Sequence, residues 1–248
     1  MQLLLIIFIA FFIAVLFSLL GLGGAIIYTP LFYWSGLDLL TAIPMALFLN
    51  MITSASSATT YFKQRIVDTG IALPIILASI PGAFVGSRLV RIIDMNHLIL
   101  LLSISIILAG IRILFFEIKG TSVISSNKRA IAGAFAGFVI SAVSSLVGIG
   151  GGTFIMPLLL FLGLETKKAV GTSALIVAFI SLFGFVSHMS QGGQNINISI
   201  MIFAGIAAFA GAQAGSRLIF RKTSPRTIER MFALVLLLVG GKLLYGLF

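Results

Sequence analysis

The chain has 248 residues, 60% of them hydrophobic and 9% charged, with a mean hydropathy of +1.22. Soluble domains carry roughly 25% charged residues, so an ordinary water-soluble fold is excluded, and repeated apolar runs of about 20 residues imply membrane spans. The net charge of +10 comes from 16 Lys and Arg scattered in ones and twos between those runs, where the positive-inside rule expects them. Nucleic acid is therefore rejected as a partner, and the absence of cysteine excludes disulfides, thiolate metal sites and thiol catalysis.

A chain in lipid satisfies its backbone groups as helices or as a closed barrel. Alternation of polar and apolar residues is absent, so the expected fold class is an all-α polytopic membrane protein. Residues 2–20 form the first apolar segment. They lack the basic n-region and A-x-A site of a signal peptide and are read as part of the fold. A glycine cluster follows within residues 18–31, SLLGLGGAIIYTPL. The further segments of the first half are 25–36, 40–62, 70–90 and 96–116. A polar stretch containing TSVISSNKR leads to a second set at 130–147, 153–163, 169–189, 198–220 and 227–248. The expected division is a first repeat at 1–117, a cytoplasmic linker at 118–128 and a second repeat at 129–248.

The two sets are copies. Residues 145–158, SLVGIGGGTFIMPL, follow residues 18–31 at an offset of 127 without a gap, so Gly21, Gly23, Gly24 and Pro30 match Gly148, Gly150, Gly151 and Pro157. Later, Gly86-Ser87-Arg88-Leu89 matches Gly215-Ser216-Arg217-Leu218 at an offset of 129. Five segments per repeat invert the second copy in the membrane, a recurrent plan in secondary transporters. Lys63, Arg65, Lys119, Lys128, Arg129, Lys167, Lys168, Arg221, Lys222, Arg226 and Arg230 all fall on one side if both termini are extracytoplasmic. Arg88 and Arg91, beside Asp94, fall on the other. The expected location is the plasma (inner) membrane.

The second segment of each repeat is short. Residues 25–36 would span about 18 Å as a helix, against a hydrocarbon core of about 30 Å, and Pro30 and Pro157 each remove a backbone donor. Segments one and two form either a broken, re-entrant pair or two tilted spans. Both arrangements have the same charge pattern.

GLGGxxxxxPLF in the first half, GIGGGxxxxPLL followed by AVGTSAL in the second, and the repeated G-S-R-L resemble the sulfite exporter TauE/SafE family of membrane transporters. The resemblance covers nearly the whole chain, including its duplication. It implies movement of small sulfur-containing anions, such as sulfite and organosulfonates, or of related organic acids. Pro44, Met45 and Ala46 stand where the second half has Gly171, Thr172 and Ser173, so the halves do not contribute identical ligands.

Glycines at a helix break expose N–H groups without intrahelical partners, at the positive end of the helix dipole. Such ends bind anions. A lone glycine cluster is equally a packing device; its repetition favours ligand contact. The candidate substrate-binding residues are Gly21, Gly23, Gly24, Asn50, Gly148, Gly150, Gly151, Gly152, Thr153, Thr172 and Ser173. Asn50 is the one amide within an apolar span of the first half and needs partners, while Thr172 and Ser173 are expected to face the second break. Arg88 and Arg217 are read as end anchors, and Tyr61 and its match His188 as interfacial anchors.

All six carboxylates, Asp38, Asp68, Asp94, Glu117, Glu165 and Glu229, fall at or beyond segment ends, which argues for potential-driven export over a carboxylate relay. No cofactor, metal site or catalytic set is expected, and the chain is read as a transporter rather than an enzyme. The alternatives are an anion channel or a membrane-embedded enzyme acting on lipid or quinone. The expected partners are a small anionic substrate and the lipid bilayer, with a homodimer as an open assembly.

Overall fold

A computed structural model describes residues 2–115, 126–192, 196–218 and 225–246. Most of the expected linker, 118–125, and the cations Lys119, Arg221 and Lys222 lie outside the described residues, as does Glu117. Among the described residues there are ten helices and no strand: α1 (Gln2–Leu20), α2 (Ala25–Trp34), α3 (Leu39–Lys63), α4 (Thr69–Leu89), α5 (Met95–Phe115), α6 (Ser126–Val147), α7 (Gly152–Phe161), α8 (Thr166–Ser190), α9 (Ile198–Leu218) and α10 (Pro225–Tyr245). Each apolar segment of the sequence is one of these helices. Six of them, α3 to α6, α8 and α9, are long and apolar enough to cross a membrane.

Helix ends are set by local chemistry. Asp68 precedes α4 and accepts from the Ile71 N–H at 3.2 Å, relieving one of the orphan donors of the first turn. Asp38 and Glu165 hold the N-cap positions of α3 and α8, where a carboxylate suits the dipole. The exposed Asp94 accepts from the Asn96 N–H at 2.9 Å, just ahead of α5. None of these four carboxylates is buried.

The most buried spans are α3 and α8, each 25 residues long. They run antiparallel through the centre: Asn50 meets Ser181, while Ala58 and Tyr61 pack with Val170 and Ala174. Around them α4 packs on α6 and on α8, α1 and α3 on α9, α5 on α10, α2 on α3 and α7 on α8. Exchanging the halves, so that α1 becomes α6 and so on, turns the α5–α10 pairing into itself and each of the others into another that is present. The duplication in the sequence is therefore a two-fold pattern of contacts.

The repeated G-S-R-L belongs to a longer motif, G-x-x-x-G-S-R-L, whose glycines make the tightest of these pairings. Side chains at Gly82 and Gly86 of α4 would strike the Phe138 and Ala142 carbonyls of α6. Side chains at Gly211 and Gly215 of α9 would strike the Phe11 and Val15 carbonyls of α1. Phe11 and Val15 are the positions matched to Phe138 and Ala142 at the 127 offset. Small residues four apart let two helix backbones approach where lipid supplies no hydrophobic drive. The arginines of the motif, Arg88 and Arg217, end their helices exposed.

The short segments are ten-residue helices, α2 and α7, about 15 Å long at 1.5 Å per residue. Each doubles back on the helix before it. The Tyr28 hydroxyl donates to the Ala10 carbonyl at 3.1 Å, and Gly24 and Gly151 sit beside the matched residues Ile13 and Ile140.

Candidate functional site

The reversals put both glycine breaks in the interior, side by side. Residues 21–24 and 148–153 are all buried. Gly21, Gly23, Gly148, Gly150 and Gly151 have φ between +65° and +78°, the left-handed region that only glycine enters without strain. The breaks also touch. A side chain at Gly152 would meet the Leu22 carbonyl, and one at Gly150 would lie 3.0 Å from the Ala25 Cβ. Two hydrogen bonds tie each half to the other's break: Thr29 Oγ1 donates to the Gly148 carbonyl at 2.6 Å, and Ser173 Oγ to the Gly21 carbonyl at 2.9 Å.

Asn50, from the middle of α3, stands between Gly23 and Gly150, and a side chain at either glycine would collide with its amide. Its Oδ1 accepts from the N–H groups of Gly24 and of Ala25, the latter at 2.8 Å, and its Nδ2 donates to Ser181 Oγ at 2.6 Å. The first donors of α2 are thereby capped from another helix. At the 127 offset Asn50 corresponds to Val177, which cannot cap. The start of α7 is accordingly different. No acceptor among the described residues takes the N–H groups of Gly152 and Thr153.

Polar atoms gather at this uncapped start. Ser144 Oγ and Thr153 Oγ1 are buried without a hydrogen-bond partner, and a Cβ on Gly151 would lie 3.0 Å from Ser144 Oγ; Ser145 Oγ, also without a partner, lies instead beside Gly184 of α8. Burying a hydroxyl unpaired costs about 1–3 kcal/mol, so two at one helix start are not explained by packing. Arg112 of α5 brings a cation within a turn of them, its Nη1 donating to the Thr153 carbonyl at 3.3 Å. Sequence reasoning missed Arg112. Its one available signal was the match to Lys242 near the end of α10, whose Nζ stands 4.5 Å from the centre of the Trp34 ring.

Two expectations are corrected. Thr172 and Ser173 do not face the second break. Thr172 Oγ1 accepts from the Asp68 N–H at 2.9 Å, fixing the loop before α4, and Ser173 serves the first break through Gly21. Nor are Tyr61 and His188 interfacial. Both are buried, and they make matched contacts: the Tyr61 hydroxyl donates to the Ser18 carbonyl at 2.5 Å, and His188 Nε2 lies 2.8 Å from the Ser145 carbonyl. Each holds a carbonyl in the last turn before a break. Gly21, Gly23, Gly24, Asn50, Gly148, Gly150, Gly151, Gly152 and Thr153 lie together in the interior.

The family model described as "Sulfite exporter TauE/SafE" matches residues 6–243. The chain belongs to the sulfite exporter TauE/SafE family. Relatives of this TauE/SafE chain include the probable membrane transporter protein YunE of Bacillus subtilis, 31% identical with 93% of each chain covered. YdhB of the same organism is 25% identical over 97% of this chain and 99% of its own length. MJ0441 of Methanocaldococcus jannaschii is 25% identical, with 95% and 93% covered. Both carry the same description, probable membrane transporter protein. No solved structure matches the chain at a significant level. With six apolar spans among the described residues and this kinship, the chain is a multi-pass integral membrane transporter. Among the described residues no cluster of His, Asp or Glu is arranged to hold a metal ion.

Proposed function

We propose that this TauE/SafE chain exports a small anion, of the sulfite, organosulfonate or related organic-acid class, by alternating access between two inverted halves, and that the anion is held at the start of α7. The observation that carries the reading is the contrast between the two breaks. Asn50 caps the first donors of α2, whereas those of α7 have no acceptor among the described residues and share their helix start with the unpartnered hydroxyls of Ser144 and Thr153 and with Arg112. Free N–H groups, a helix dipole and a nearby guanidinium together suit an oxyanion. The half-helix ends of broken helices serve this purpose in other transporters.

The placement of charge supports the inverted topology. Lys63 ends α3, Lys167 and Lys168 begin α8, and Arg217 ends α9. Because α9 runs parallel to α3, and α8 antiparallel to it, all of these lie at one end of the molecule. Arg88 and Arg91 lie at the other, where Arg91 donates to the Gly192 carbonyl. With the first end cytoplasmic, both termini are extracytoplasmic. The chain has no native cysteine, so single-cysteine labelling tests this directly. A cysteine replacing the exposed Asn197 reacts with an impermeant maleimide on intact cells, and one replacing Lys167 reacts only after permeabilisation. The reverse result refutes the topology.

Transport is tested in proteoliposomes with sulfite, taurine, sulfoacetate and acetate, with and without a membrane potential. Saturable efflux of at least one sulfur oxyanion is expected, accelerated by an inside-negative potential, which drives a monovalent anion outward by about 2.3 kcal/mol per 100 mV. Arg112→Gln removes the cation and is expected to slow flux roughly tenfold or more, as loss of a charge-assisted hydrogen bond does. If no anion moves, or if Arg112→Gln transports like the parent, the site or the reading is wrong.

A further inference from the structure

A second feature lies on the outside of the bundle. A cleft of about 760 Å³ opens between α3, α8 and α9, walled almost entirely by hydrocarbon, with Phe48, Ile52, Phe62, Phe179 and Phe209 among its lining residues. One position of its wall differs between the two halves. Gly205 of α9 matches Ile76 of α4 at the 129 offset. Ile76 is buried in a cluster with Ile176 and Ile180 of α8. Gly205 has no side chain to offer, and its nearest neighbours are the tips of Ile52 and Phe48.

The cleft runs along α3 from Phe48 to Phe62, about 21 Å at 1.5 Å per residue. One leaflet of a bilayer supplies about 15 Å of hydrocarbon, so the cleft suits a single acyl chain lying along the helices. Its two ends differ in charge. The end at Phe62 is the cation-rich end of the molecule, with Lys63, Arg65, Lys167, Lys168 and Arg217 all exposed there. Arg217 is joined to the cleft wall. Its Nη2 donates to Gln213 Oε1 at 3.4 Å, and Gln213 Nε2 donates to Ser56 Oγ at 3.1 Å and to Thr59 Oγ1 at 3.3 Å, both lining residues. Glu165 and Asp68 share this end, but Asp68 is turned to the Ile71 N–H, and the cations outnumber them.

We propose that this cleft is a binding site for an anionic phospholipid, one acyl chain lying against Gly205 and the phosphate drawn to Lys63 and Arg217. Hydrocarbon walls alone would accept any lipid tail, and the choice of an anionic headgroup comes from the charged end. Cations next to a membrane surface gain from anionic lipid. The assignment does not depend on which substrate the transporter moves.

The test is native mass spectrometry of the detergent-purified full chain titrated with dioleoyl phosphatidylglycerol or dioleoyl phosphatidylcholine. The wild type is expected to retain one phosphatidylglycerol at roughly tenfold lower lipid concentration than it needs for phosphatidylcholine. Gly205→Leu fills the cleft and is expected to abolish retention of both lipids. Ala55→Leu, at an exposed position of α3 within the lining, is expected to do the same and carries the test if Gly205→Leu does not fold. The double variant Lys63→Gln, Arg217→Gln is expected to keep the tail but bring phosphatidylglycerol down to the level of phosphatidylcholine. Equal retention of the two lipids by the wild type, or unchanged retention in a folded filling variant, overturns the proposal. So does a filling variant that converts dimers to monomers without changing the lipid count, since the cleft would then be an interface between copies.

Discussion

Asn50→Leu is expected to abolish transport and to destabilise the fold by about 3 kcal/mol or more, since each buried group left without a partner costs about 1–3 kcal/mol. The amide accepts from two N–H groups at the start of α2 and donates to Ser181. Leucine leaves all three groups buried without a partner. It also places a branched carbon chain between Gly23 and Gly150, where there is no room for a Cβ on either side. Asn50→Asp separates the two contributions. A carboxylate still accepts from both N–H groups and suits the helix N-terminus, but it loses the donor to Ser181, so a smaller loss is expected. The measurements are thermal unfolding in detergent and flux in proteoliposomes. An Asn50→Leu protein that melts and transports like the parent would remove the amide from the centre of the site.

The second large effect lies away from the breaks. Gly215→Leu is expected to leave little correctly folded protein, because its Cβ would run into the Val15 carbonyl and Ser18 Oγ. A clash with a backbone atom cannot be relieved by turning a side chain, so α1 must move off α9 as a body. Overpacking costs about 1–3 kcal/mol even where side chains can yield, and more is expected where the backbone must shift. Gly86→Leu should behave alike through the Ala142 carbonyl. The control is Gly241→Leu in α10, where nothing lies within 4 Å of the added Cβ and removing a helix glycine gains up to about 1 kcal/mol. Size-exclusion profiles of the three variants decide the matter. If Gly215→Leu elutes and melts like the parent, the close approach of α1 and α9 is wrong.

Much of this arrangement was legible in the sequence because membrane physics writes it there. Apolar run length gave the ten helices, and the 127 offset gave the partnership of the two breaks. The facing of individual side chains was not legible. Thr172 and Ser173 are neighbours, so their side chains point about 100° apart on the helix. One therefore reaches Asp68 and the other Gly21, and neither reaches the break expected. Tyr61 and His188 looked interfacial because they are near segment ends. However, α3 and α8 run to 25 residues and bury those ends against α1 and α6. Arg112 was invisible for a simpler reason: a cation near the end of an apolar run reads as an anchor unless the fold shows what it touches.

The pair of hydrogen bonds that crosses from each half to the other's break, Thr29 to Gly148 and Ser173 to Gly21, acts as a double clasp. Any motion that parts the halves at this point must open both. At about 1 kcal/mol net for each bond, the pair contributes about 2 kcal/mol toward holding the halves shut, beside the Asn50–Ser181 bond that also crosses between them. The clasp thus sets how tightly the resting molecule is shut, and weakening it with Thr29→Val would shift that resting balance without touching the groups at the start of α7.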